Sequence, residues 1–130
     1  MASSVPLVAF AGLTSSCAAG ETAWKLVIAK DADGVEIVIP PSVKPSISLS
    51  DEGVATGFSG VNTFTGGYVR DGHRFTWTGA IRVTRRGGSP LATEFESRFL
   101  SILRSSETIR IDGTLELSGK NGTLRFLAEP

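Results

Sequence analysis

Residues able to do chemistry are scarce in this chain, and their spacing narrows the choice quickly. His73 is the only histidine and Cys17 the only cysteine. One of each cannot build a multi-histidine or cysteine-rich metal site, and a lone cysteine forms no intrachain disulfide. His73 follows Asp71-Gly72 in a serine-rich chain, so a Ser-His-Asp set is arithmetically available. No Gly-x-Ser-x-Gly elbow accompanies it, and a residue at a hairpin tip does not sit in a dry site. Aspartates and glutamates are dispersed singly, leaving no carboxylate pair and no calcium loop. Arg85-Arg86-Gly87-Gly88 lacks the Gly-Lys-Ser/Thr ending of a phosphate loop. The expectation is a protein without a catalytic constellation, cofactor or metal.

Two groups of residues could instead bind or shape. Arg70, Arg74, Arg82, Arg85 and Arg86 crowd a region whose sole acid before Glu94 is Asp71, with Tyr68, Phe75 and Trp77 interleaved. Such a stretch is either an anion, headgroup or nucleic-acid surface, or a solvated face with its aromatics turned inward. Thirteen basic against thirteen acidic residues give no global field, which argues against nucleic acid. An unknown acidic protein or a membrane surface is the expected partner, with Arg82, Arg85 and Arg86 as the candidate contacts, and the chain is expected to be monomeric.

The second group is the stretch Gly57-Phe58-Ser59-Gly60-Val61-Asn62-Thr63-Phe64-Thr65-Gly66-Gly67-Tyr68. Glycines at this density mean backbone in conformations other residues resist, or backbone brought close to another element. The predicted reading is one crowded bend followed by a strand. Asn62 would satisfy neighbouring backbone groups there, with a polar ligand contact as the functional alternative. Gly60, Asn62, Phe64, Gly66 and Tyr68 are the predicted structural residues of this motif.

The elements that must position these groups read mostly with a period of two. Trp24, Leu26 and Ile28 alternate with Lys25, Val27 and Ala29; Phe75 and Trp77 alternate with threonines; Leu115 and Leu117 alternate with Thr114 and Glu116. That is the pattern of antiparallel strands with one buried face. Asp33-Gly34, Asp71-Gly72, Asp112-Gly113 and Asn121-Gly122 are hairpin signals, predicting pairing of 24–30 with 35–39, 67–70 with 73–77, 109–111 with 114–118, and 114–118 with 123–127. Prolines 40, 41 and 45 make a loop. Only 89–104 breaks the period: Leu91, Phe95, Phe99, Ile102 and Leu103 recur at helical spacing, Ser89 caps, Pro90 takes the first turn, and Glu94 is set to pair with Arg98. The predicted fold is α+β, a curved antiparallel sheet wrapped around one amphipathic helix.

With 130 residues and 41% hydrophobic content the chain is a single domain with a real core. No apolar run approaches the roughly 20 residues needed to span a bilayer as a helix. Residues 1–20 carry no charge and hold a short apolar core from Val5 to Leu13 ahead of Cys17. This segment resembles a degenerate bacterial lipoprotein signal, lacking a basic start and carrying Thr14 where leucine is usual. It reads either as that signal, with lipidation at Cys17, or as an extra apolar arm, with 21–130 as the domain. The expected location is the cell envelope or outside the cell, with the cytoplasm as the alternative.

Gly60-Val61-Asn62-Thr63-Phe64-Thr65-Gly66-Gly67-Tyr68 resembles the Gly-Cys-Asn-x-Phe/Tyr-x-Gly-x-Tyr hallmark of the META/HslJ domain, apart from Val61. Trp24-Lys25-Leu26 resembles the family's opening strand, Ile81 to Thr84 the strand before the helix, and Glu94 and Phe99 with Leu103 its Glu-x-x-Phe-x-x-x-Leu run. Gly113 to Leu117 and Gly122 to Phe126 resemble the closing hairpin. The resemblance covers residues 24 to 128 and implies a half-barrel around one helix. It implies a non-enzymatic interaction or stress-support module of the envelope, or alternatively a carrier of a lipid or small apolar ligand within the half-barrel. Family members often pair a cysteine at the position of Val61 with one near Gly88; here both are absent, so packing must replace the clamp.

Overall fold

The alternating segments do form strands, and they close on themselves. The computed structural model describes residues 22–129; the apolar N-terminal segment with Cys17 lies outside them. In chain order the elements are β1 (Ala23–Asp31), β2 (Glu36–Ile37), β3 (Ser46–Leu49), β4 (Val54–Phe58), β5 (Thr63–Asp71), β6 (Arg74–Trp77), β7 (Arg82–Val83), α1 (Pro90–Ser105), β8 (Ser106–Ile111), β9 (Thr114–Gly119) and β10 (Gly122–Ala128). The sheet runs β10-β9-β8-β6-β5-β4-β3-β1, and β10 also pairs with β1. Eight strands therefore make a closed barrel around α1, with β2 paired to β1 and β7 to β5 as appendages.

Closure corrects the expected half-barrel. Its cause is β1, whose nine residues pair with β3 and β2 along one edge and with β10 along the other. A register shift between Leu26 and Ile28 lets one strand serve all three. That bulge also changes which residue turns inward, since the extra residue reverses the alternation. Ala29, at 1% exposure, occupies the core place expected of Ile28.

The four hairpins form where the turn dipeptides stand, with pairs such as Lys30↔Glu36, Asp71↔Arg74, Ile111↔Leu115 and Thr123↔Ser118. Gly34, Gly72 and Gly113 each take the positive φ that such turns require.

Ser89 caps α1, its hydroxyl accepting from the amide of Ala92, with Pro90 in the first turn and Arg104 in the last. The buried stripe runs Ala92, Phe95, Glu96, Phe99, Leu100, Ile102 and Leu103, at the spacing of one helical face. Phe99 lies between Phe95 and Phe64, at centroid distances of 6.2 and 6.1 Å. Around it are Ile47, Ile109, Leu115, Leu117, Leu124 and Phe126, all fully buried. Leu91 does not join them: it lies on the first turn and is 69% exposed, contrary to its expected core place. Arg98 approaches Asp31 of β1 at 4.0 Å instead of the expected Glu94.

Candidate functional site

The glycine-rich stretch is not one bend. β4 continues to Phe58 and β5 starts at Thr63, so only Ser59 to Asn62 turn. The glycines on either side serve close approach. A Cβ on Gly57 would meet the Ser46 carbonyl at 2.1 Å and the Phe64 ring at 2.6 Å, and one on Gly66 would lie 3.0 Å from the Trp77 ring. Gly60 is the glycine demanded by backbone conformation, with φ +129°. It faces Val43, Phe95 and Glu96, so the turn rests directly on α1.

Glu96 is the residue that fastens the turn. Its side chain is buried, and the turn donates to it repeatedly. Oε2 accepts from the amides of Val61 (3.1 Å) and Asn62 (2.7 Å) and from the Ser59 hydroxyl; Oε1 accepts from Asn62 Nδ2 at 2.9 Å. The Ser59 oxygen also lies 2.9 Å from the Asn62 carbonyl. A hydroxyl has one proton, and the shorter, charge-assisted contact to the carboxylate takes it. Burial pushes the Glu96 carboxyl upward. The donations from Ser59, from the Asn62 side chain and amide, and from Val61 together outweigh burial and hold its pKa below the ordinary glutamate value.

Asn62 has no capacity left over. Beyond Glu96, its Nδ2 donates to the Arg86 carbonyl at 3.3 Å, and its Oδ1 accepts from the Thr84 hydroxyl at 3.0 Å and from the Arg86 amide. Two donors and two lone pairs are all that a primary amide offers. The Ser59 amide takes the Asn62 carbonyl at 2.8 Å, and Thr84 and Thr63 exchange further bonds. Asn62 thus ties three segments together: the turn, α1, and the 84–86 chain entering the helix.

The other motif residues are placed by packing. Phe64 is buried against Phe99, and Tyr68 stacks on Phe75 at 5.3 Å while its hydroxyl donates to the Ser50 carbonyl at 2.7 Å. Burial and the Asp51 carboxylate push the Tyr68 phenol up, with Arg70 opposing. Phe75 meets Trp77 edge to face at 5.0 Å. The aromatics interleaved with the arginines are therefore turned inward. Val61 is half-buried and sits against Gly88, whose added Cβ would be 2.7 Å from Val61 Cγ2. Valine occupies the space beside Gly88 that the family resemblance assigns to a cysteine pair.

The candidate partner residues separate. Arg82 is exposed on β7 and borders a groove floored by Thr56, Gly57 and Thr65. Arg85 and Arg86 are exposed on the clamped chain and border a different open cleft, about 540 Å³, whose floor holds Asn62, Glu96 and Leu100 and whose far side holds Arg104. His73 is exposed at its hairpin, Nδ1 lying 3.1 Å from the Ile109 carbonyl. The barrel interior is filled by α1 and the inward strand residues, so the packing adds nothing in favour of a carried apolar ligand.

Ser59 and Glu96 are the site residues that sequence reasoning missed. The signal for Glu96 was present: Glu-x-x-Phe-x-x-x-Leu fits Glu96, Phe99 and Leu103. Anchoring that run at Glu94 mistakes an exposed glutamate for the buried one.

Comparisons with known proteins bear on the family and the fold. The META domain family model matches residues 16–130. The fold is similar to that of a protein from Burkholderia xenovorans solved by NMR, with 24% sequence identity, 83% of this chain and 81% of that chain covered, and a TM-score of 0.67. Comparison with curated proteins returns no match.

Proposed function

The chain belongs to the META domain family, and on that premise we propose that it is a non-enzymatic interaction module whose binding surface is the clamped chain beside α1. One observation carries the reading. Asn62 and Glu96 fix the backbone at Arg86 through a saturated buried network, while the Arg85 and Arg86 side chains stay exposed over an open cleft. A chain held this rigidly presents its charges with little ordering cost, which favours recognition of an acidic protein surface. The Glu96 carboxylate is engaged by four donors and does not stand ready as a base.

Placement in the bacterial envelope or outside the cell, with a part in stress support, completes the proposal. It is supported by the uncharged first twenty residues around Cys17 and by the family resemblance. No helix among the described residues is long and apolar enough to cross a membrane.

Capture from an envelope extract, with bound proteins identified by mass spectrometry, tests the reading. Arg85→Glu/Arg86→Glu should lose the specific partners while the melting temperature stays within about 3 °C, since exposed charges contribute little to folding. Arg82→Glu, on a separate groove, should retain them. An unchanged set of partners for the double variant would refute the clamped chain as the binding surface.

A further inference from the structure

The barrel has one weak seam. β6 pairs with β5 from Asp71↔Arg74 to Tyr68↔Trp77. Arg74 flanks a two-residue turn, and the Thr78 amide donates to the Gly67 carbonyl at 2.9 Å. The backbone groups of 74, 76 and 78 therefore point to β5, and those of Phe75 and Trp77 point away from it. On that far side the partner is β8, and Arg74↔Thr108 is the sole pair the two strands share among the described residues. The Ile109 amide donates to the His73 carbonyl at 2.8 Å, the Arg74↔Thr108 pair beside it engages the Phe75 amide with the Glu107 carbonyl, and then the strands part. They must part, because Ser106 begins β8 while also capping α1, its amide donating to the Leu103 carbonyl.

The opening is a cleft of about 830 Å³, bordered by Arg74, Trp77, Arg104, Glu107, Thr108 and Lys120. That is within the roughly 300–1,000 Å³ typical of ligand sites. Arg74, Arg104 and Lys120 are exposed, and among the described residues none of them forms an ion pair. Glu107 is the one carboxylate on the cleft wall. Trp77 is half-buried, and its indole N–H donates to the Leu103 carbonyl at 2.8 Å, which fixes the ring in the cleft.

We infer that this seam is a docking site for a short, extended, acidic peptide segment. The segment adds to the open edge of β6 at the Phe75 carbonyl and the Trp77 backbone, lays an apolar side chain on the Trp77 ring, and sets its carboxylates against Arg74, Arg104 and Lys120. Each part of the site selects one property. An unpaired strand edge is complemented by another extended backbone and not by a helix. Three unpaired cations facing one glutamate select negative charge. The cations line a concave wall, which an inserted strand reaches and the flat face of a bilayer does not. The indole is already immobilised, so little ordering accompanies binding. This cleft and the one beside Arg85 and Arg86 share Arg104, and Arg74 and Lys120 distinguish this site from the clamped chain.

The test is an amide-resolved NMR titration of the full chain with the peptide acetyl-Val-Glu-Val-Glu-Val-Glu-amide. Controls are its lysine counterpart, the same peptide N-methylated at alternate residues, and anionic phospholipid vesicles. Saturable shifts centred on Phe75 to Trp77 and Ser106 to Thr108 are expected with the acidic peptide alone. Arg74→Glu/Lys120→Glu should weaken binding by about tenfold or more, and Arg85→Glu/Arg86→Glu should leave it within about twofold. Trp77 fluorescence in a Trp24→Phe background gives a second readout. No saturation by about 1 mM peptide, equal binding of the lysine or N-methylated peptide, or response to vesicles only would overturn the assignment.

Discussion

The two seams of the barrel are closed by different means. Between β1 and β10 the ladder runs from Trp24↔Ala128 to Asp31↔Gly122, main chain to main chain. Gly122 lets the strands come so close that an added Cβ would lie 2.1 Å from the Lys30 carbonyl. Between β6 and β8 there is a single pair among the described residues, and side chains take over: the Trp77 indole donates to the Leu103 carbonyl of α1, Phe75 meets the indole edge to face, and Tyr68 stacks on Phe75. The difference follows from where the helix enters. β1 and β10 are free along their whole length, so a ladder can form. β8 must begin where α1 ends: Ser106 keeps its pairing with Gly119 of β9, but its amide is taken by the Leu103 carbonyl and the residues before it are helical, so β8 has no more strand to set against β6. A barrel that admits a helix through its wall gives up main-chain closure at that point, and aromatic residues are what the sequence supplies in its place.

The most disruptive way to break this comparison is to remove what lies beneath both seams. Phe99→Ala should cost about 3–5 kcal/mol in chemical denaturation, as expected for an emptied aromatic site in a fully buried core. A loss below about 1 kcal/mol would mean that α1 does not hold the barrel together.

Glu96→Gln comes next, since it loosens α1 from the turn while leaving both seams intact. Loss of charge-assisted bonds should cost about 1.5–3 kcal/mol at neutral pH. Because the folded-state pKa of Glu96 is lowered, its stabilisation is fully present above the ordinary glutamate value of about 4.3. It is lost as the pH falls through the lower folded value. Urea midpoints measured downward from pH 6 should show a fall in the native protein that the glutamine variant lacks. Parallel curves would separate Glu96 from acid sensitivity.

The smallest effect sharpens the comparison most. Trp77→Phe keeps an aromatic ring but removes the indole donor and part of the ring volume, for about 1–2 kcal/mol. Amide exchange should quicken along β6 and β8 while β1 and β10 keep their protection. Equal quickening on both sides would mean the weak seam is not sealed by that bond.

Much of the fold was legible because its signals are local. Turn dipeptides announced the hairpins, and Ser89-Pro90 announced the helix start. Closure was not legible, because β1 and β10 stand at opposite ends of the chain and the bulge after Leu26 leaves no compositional trace. The candidate site was half legible. Gly60 and Asn62 showed themselves by type, whereas Glu96 looked like any charged helix residue until the turn was seen to aim its amides at it. Leu91 misled in the other direction, sharing the apolar spacing of α1 while lying on a turn that projects beyond the core.

Val61 lies against Gly88 through van der Waals contact alone, and the chain's single cysteine rules out an internal disulfide anywhere in it. The joint between the turn and the helix entrance is therefore indifferent to redox potential. Thiol reductants have no covalent cross-link within the chain to open, and no oxidase or isomerase is needed to complete it. Folding of this domain should therefore be unchanged by the thiol redox state of its surroundings.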